Sequence, residues 1–91
     1  MSVIERRVTI CNARGLHARA AAKFVETAQR FDAVVHVTRE GETVPADSIM
    51  ELLMLAASKG AEIAIASEGA QAADVSEALV ELVEAGFHES E

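Results

Sequence analysis

The sequence predicts an α+β fold, an antiparallel sheet with helices on one face and water on the other. Three observations carry that prediction. The apolar residues change period along the chain in the order β-α-β-β-α-β-α. The strand segments are short and alternate apolar with polar residues, the pattern of a sheet wetted on one side. Finally, 91 residues with no Trp or Tyr make one small domain, residues 1–91, with an aliphatic core helped by Phe24 and Phe31.

The elements follow in order. "SVIERRVTI" sets Ile4, Val8 and Ile10 on one side of a period-two pattern, with Arg6 the exception, and reads as a strand. Ala13 to Gly15 is a loop. From Ala18 to Arg30 or so, Ala21, Phe24, Val25, Ala28 and Phe31 recur every three or four residues, an amphipathic helix. "AVVHVT" is a strand with Val35 and Val37 inward. "REGE" turns it into "ETVPA", a hairpin partner that Pro45 assigns to a sheet edge or a strand end. "DSIMELLMLAAS" reads as a helix that runs to "KGAE", where glycine stops it and Lys59 complements its dipole. "EIAIAS" alternates Ile63 and Ile65 with small residues and is a strand. "GAQAADVSEALVELVEAG" is the last helix, with Val75, Leu79, Leu82 and Val83 inward, Glu77, Glu81 and Glu84 wet, and Gly86 at its end. "FHESE" reads as a frayed tail.

Composition narrows the function. A net charge of -7 argues against nucleic-acid binding, which needs basic surface. No apolar run approaches the roughly 20 residues of a membrane helix. "MSVIERRVTI" has charges where a secretory signal holds its apolar segment. The expectation is a cytoplasmic chain with no membrane partner. The lone Cys11 excludes an internal disulfide and reads as a small buried residue. No metal-ligand spacing occurs, and neither a metal nor an organic cofactor is expected. Acidic residues crowd "EALVELVEAGFHESE", whereas Arg6, Arg7, Arg14, Arg19, Lys23 and Arg30 fall in the first third. An anion, if one is handled, belongs at that end.

The stretch "ARGLHARAAAKFV" sharpens the point. A helix start leaves backbone N–H groups without partners and carries roughly half a positive charge. No Ser, Thr, Asp or Asn stands at His17, Ala18 or Arg19 to cap them, and a phosphate would fill the vacancy. Histidine is also a nucleophile near neutral pH. A phosphoryl group on the ring would bring its oxygens to the N–H groups of Ala18 and Arg19, with the Arg19 guanidinium adding charge-assisted bonds. Gly15 permits the tight turn and keeps bulk from the imidazole. On residues alone a plainer reading stands beside this one: a surface histidine serving as an imperfect cap. His36 and His88 read as solvated bystanders. Lys23 and Arg30 could face an acidic partner or simply be solvated.

"GLHARAA", with a strand before it and a helix after, resembles the phosphohistidine site of the HPr family, the histidine-containing phosphocarriers of the bacterial phosphotransferase system. The resemblance covers essentially the whole chain, including "DSIMELLML" before "SKGAEI". It implies an open-faced β-sandwich, a four-stranded antiparallel sheet with three helices on one face. It further implies that His17 takes phosphate on Nδ1 from phosphorylated enzyme I and passes it to an enzyme IIA-type acceptor. By the same resemblance Arg19 is the active-site arginine, phosphoenolpyruvate the ultimate donor, and the chain a monomeric carrier rather than an enzyme. The family motif has proline where this chain has Ala20. "LLML" and "GFHESE" resemble the nitrogen-related branch, whose outputs are regulatory.

"DSIME" places Ser48 three residues before Glu51, a capping-box signature. By resemblance Ser48 is also the serine that HPr kinase/phosphorylase modifies in some family members. The helix after it has more apolar residues than one buried stripe needs, and Ile49, Met50, Leu53 and Met54 are assigned to a docking patch beside His17. Two other classes of function stay open: a regulatory adaptor of the same fold that binds partners according to its phosphorylation state, and an anion- or peptide-binding module with His17 only a ligand.

Overall fold

The chain runs as β1 (Ile4–Thr9), α1 (Ala18–Gln29), β2 (Val34–Arg39), β3 (Glu42–Pro45), α2 (Ile49–Met54), β4 (Glu62–Glu68) and α3 (Ala72–Glu84), then a short turn at Gly86–His88. This is a computed structural model, and it describes residues 2–89. The strands form one antiparallel sheet in the order β1-β4-β2-β3. The predicted order of elements, the four-stranded sheet and the three helices are all present. No helix among the described residues is long and apolar enough to cross a membrane.

Register explains the strand pattern. Val8 pairs with Ile63, and Ile65 lies between Arg6 and Val37, so these residues share one face. Val8, Val35, Val37, Ile63 and Ile65 are buried there. Arg6 shares the inner face but sits on an edge strand and stays exposed, which accounts for the exception in the alternation. The opposite face carries His36, Thr38 and Thr43, and the two threonine hydroxyls bond at 2.7 Å. Pro45 closes β3 at the sheet edge, where its missing N–H costs no ladder bond. Phe24 from α1, Leu52 from α2, and Val75, Leu79 and Val83 from α3 are fully buried. Each such side chain contributes about 2 kcal/mol by leaving water.

Three expectations are corrected. The second helix ends at Met54 rather than near Ser58. Ala56 turns into the left-handed region (φ 51), and the Ala57 carbonyl leaves the helix axis to accept the Leu16 N–H at 2.8 Å. Lys59–Gly60 is therefore not a helix end. It forms a turn in which Ala61 N–H donates to Ser58 O at 2.9 Å and Gly60 N–H to Ile10 O at 2.8 Å. Cys11 is exposed, not buried, with its thiol directed at the Val83 carbonyl at 3.3 Å. The tail does not fray through Glu89: Phe87 is fully buried, and its carbonyl accepts from Lys23 Nζ at 2.6 Å. Ser90 and Glu91, also assigned to the frayed tail, lie outside the described residues.

Candidate functional site

The site begins at Gly15, which has φ +67 and packs directly on the α2–β4 loop. A Cβ there would lie 2.7 Å from the Ala57 carbonyl oxygen and 2.8 Å from Ser58 Cα. Glycine is thus required twice over, by the left-handed turn, as the sequence suggested, and by a neighbouring backbone that the sequence did not reveal. The adjoining Leu16 bond to Ala57 ties the two loops together, so the residue that follows is delivered in one place.

That residue, His17, is the N-cap of α1 with extended backbone (φ -79, ψ 178). The helix is not uncapped, and the plainer reading of His17 as an imperfect cap holds. The ring itself caps it, Nδ1 accepting from the Arg19 N–H at 3.2 Å. The bond is long, and no partner among the described residues takes the Ala18 amide. On the other side of the ring, Nε2 bonds the Glu89 carboxylate at Oε2. The remaining carboxylate oxygen accepts from Asn12 Nδ2 at 3.0 Å, and the same amide donates to the Gly15 carbonyl at 2.8 Å. The side chains of His17 and Glu89 are 14% and 12% exposed, so the pair is sheltered but reachable.

These bonds decide the proton. Nε2 faces a carboxylate and must donate, while Nδ1 faces an N–H and must accept. The neutral ring is therefore held as the Nε2–H tautomer, with its lone pair on Nδ1. The Asn12 amide, then the His17 N–H and more weakly the Arg14 charge, hold the Glu89 carboxyl below its ordinary 4.5 against the opposing effect of burial. Glu89 is accordingly ionised at neutral pH.

Around this pair Arg14, Arg19, Lys23, His88 and Glu89 line a depression of about 270 Å³. Arg19 is exposed, and its guanidinium makes no ion pair with a described residue. The structure thus brings together His17, Arg19 and the amides of Ala18 and Arg19. It adds Asn12, Arg14 and Glu89, which the sequence did not single out as site residues. His88 lines the depression rather than standing aside, and His36 remains on the outer sheet face. Arg30 pairs with Glu26 at 2.9 Å within its own helix and takes no part. Phe87, an apolar residue just past the helix-ending glycine, was the available signal that the tail folds back.

Ser48 caps α2, its hydroxyl accepting the Glu51 N–H at 3.3 Å. Met50 and Met54 are 74% and 71% exposed, Ile49 is exposed as well, and Leu53 is half-buried against the core.

Comparison with known proteins bears on this arrangement. A family model described as the PTS HPr component phosphorylation site matches residues 4–85. Phosphocarrier protein HPr of Pseudomonas putida is 48% identical over 87 residues, covering 94% of this chain and 97% of its own. Phosphocarrier protein NPr of Shewanella violacea is 40% identical over 90 residues and covers 99% of each. Among solved structures, HPr-C-His from Thermoanaerobacter tengcongensis is similar with a TM-score of 0.92 at 38% identity, over 97% of this chain and 99% of that one. Sequence, topology and length agree throughout, and the chain belongs to the HPr family of phosphocarriers of the bacterial phosphotransferase system.

Proposed function

We propose that His17 is the phosphoryl carrier, taking the group on Nδ1 from phosphorylated enzyme I and giving it to an enzyme IIA-type acceptor. The observation that carries this reading is the fixed tautomer, with Nε2–H on Glu89 and the lone pair of Nδ1 at the start of α1. As Nδ1 attacks phosphorus, the N–P bond forms and the donor's P–N bond breaks, while the Nε2 proton stays in place. The Arg19 amide loses its ring partner and becomes available, with that of Ala18, to the phosphoryl oxygens. The Arg19 guanidinium is free to add charge-assisted bonds. Incubation with enzyme I and labelled phosphoenolpyruvate tests this: acid-labile label on the protein is the expected result. An unlabelled chain would leave the anion- or peptide-binding module as the better reading.

The NPr relative favours keeping a regulatory duty beside transport. Capture of partners by the phosphorylated and the unphosphorylated protein separates an adaptor from a simple carrier.

Alanine at position 20 lies in the first turn of α1 and is fully buried. Neither the nucleophile nor the cation changes when the family proline is absent. Ala20→Pro is therefore expected to alter the transfer rate by less than about tenfold, or 1.4 kcal/mol. A gain of several orders of magnitude would mean the natural site is crippled.

Ser48 is assigned a regulatory phosphorylation by HPr kinase/phosphorylase, acting on a docking patch of Ile49, Met50, Leu53 and Met54. A phosphate at a helix start is tolerated by the dipole, so its effect falls on the partner through repulsion and desolvation. Ser48→Asp keeps a competent cap and is expected to slow transfer from enzyme I by about tenfold, 1.4 kcal/mol of docking. Unaltered transfer and unaltered acceptor binding in that variant would remove Ser48 and the patch from the account.

A further inference from the structure

We infer that Glu89, clamped by Asn12, is a positioning residue that selects Nδ1 of His17 as the reacting nitrogen and offsets the charge that phosphorylation puts on the ring. The inference rests on the carrier reading of His17 and assigns a role to the carboxylate whose bond to Nε2 that reading cites.

Three features argue against a chance contact of a surface tail. Both oxygens of the carboxylate are used, one by His17 and one by Asn12. Asn12 is 1% exposed. Both of its side-chain partners, Gly15 O and Glu89 Oε1, are acceptors, so its amide nitrogen must face them. Its Oδ1 is then left buried without a partner among the described residues, a cost that an apolar side chain at 12 would avoid. The third feature is the route of the backbone. Gly86, Phe87 and His88 all lie in the left-handed region, at φ 63, 56 and 59. Two successive non-glycine residues persist there only when their surroundings hold them. The buried Phe87 ring and the Lys23 bond to its carbonyl supply that hold, and Glu89 is thereby set down on the imidazole.

The chemistry follows from the placement. A carboxylate on one ring nitrogen keeps the proton there and leaves the other as the base or nucleophile. When Nδ1 gains the phosphoryl group and Nε2 keeps its proton, the ring becomes cationic, and Glu89 is the anion in contact with it. Nε2, occupied by its proton and by Glu89, is closed to phosphorylation. The groups facing the carboxylate are Asn12 and Arg14 from the β1–α1 loop, His17 at the start of α1, Arg19 and Lys23 from α1, and His88 beside it in the tail.

The ring nitrogens report this directly. Nitrogen-15 NMR of His17 in the full, unphosphorylated chain, at a pH where the ring is neutral, should show the Nε2–H tautomer dominating. In Glu89→Ala the ratio of Nε2–H to Nδ1–H forms should fall by about tenfold, as expected for loss of one charge-assisted hydrogen bond. Glu89→Gln, which retains an acceptor but no charge, should fall between. Transfer from enzyme I to Glu89→Ala should slow by about tenfold while the melting temperature stays near that of the wild type. An unchanged tautomer ratio in Glu89→Ala overturns the inference, as does a lowered melting temperature with the ratio intact, which would make Glu89 a structural strap. Because the NMR measurement needs no donor, failure of the wild type to take up phosphate would sink the carrier reading and leave Glu89 to be judged on the ratio alone.

Discussion

His17→Ala is expected to take up no acid-labile phosphate from phosphorylated enzyme I, and to remain folded. Both halves of this expected result have a physical basis. No other imidazole stands at the N-cap of α1: His36 projects from the solvent face of the sheet, and His88, although it lines the neighbouring depression, makes no hydrogen bond to a helix-start amide among the described residues. The backbone bonds of residue 17 survive the substitution, its N–H to Gly15 O at 2.9 Å and its carbonyl to the Ala21 N–H at 2.8 Å. What is lost is the Nδ1 cap, worth about 1 kcal/mol, together with the contact to Glu89. Labelling with phosphoenolpyruvate and enzyme I, beside a thermal melt, measures the two effects separately. Label retained at the wild-type level would place the carrier residue elsewhere.

Gly15→Ala is expected to produce the largest loss of stability for the smallest change in mass. One cost is local, since an L-residue in the left-handed region is disfavoured by about 1–2 kcal/mol. The other is tertiary. The new Cβ would sit 2.7 Å from Ala57 O and 2.8 Å from Ser58 Cα, backbone atoms that cannot rotate aside. One of the two loops must retreat, and the Leu16 bond to Ala57 goes with it. Together these should cost about 3 kcal/mol. For a domain of this size that lowers the melting temperature by roughly 12–24 °C at about 4–8 °C per kcal/mol. Gly41→Ala is the matched control: its φ is +83, and a Cβ added there would meet nothing within 4 Å, so it carries only the local cost. Equal melting temperatures for the two variants would show that the contact with the second loop has no weight. Phosphate uptake should also slow in Gly15→Ala, because His17 is carried by the displaced loop.

The strands and the two long helices were legible because each buries one face, and burial of one face imposes a period that the chain must display. Val35 with Val37, Ile63 with Ile65, and Val75 with Leu79 and Val83 face the core as their spacing demanded. The second helix was misread at its end for the opposite reason. "LAAS" is helix-compatible by local preference, and only the need of Leu16 for the Ala57 carbonyl pulls the chain out of the helix at Ala56. Cys11 was misjudged because the face a residue presents at the end of a strand depends on what packs beyond it.

The surroundings of the imidazole divide along the same line. His17, Arg19 and the helix-start amides are contiguous in sequence, so their joint placement is a matter of one turn of backbone and could be read directly. Asn12 and Glu89 are separated by 77 residues, and no local periodicity links them. Their meeting over the imidazole depends on Phe87 entering the core and on Lys23 holding its carbonyl. The chain by itself specified the order of elements, their inward faces and the candidate nucleophile, all set by short-range pattern and chemistry. The tertiary structure alone decided which ring nitrogen bears the proton, where the second helix stops and how closely a second loop packs on residue 15, since each depends on groups that only folding brings within contact.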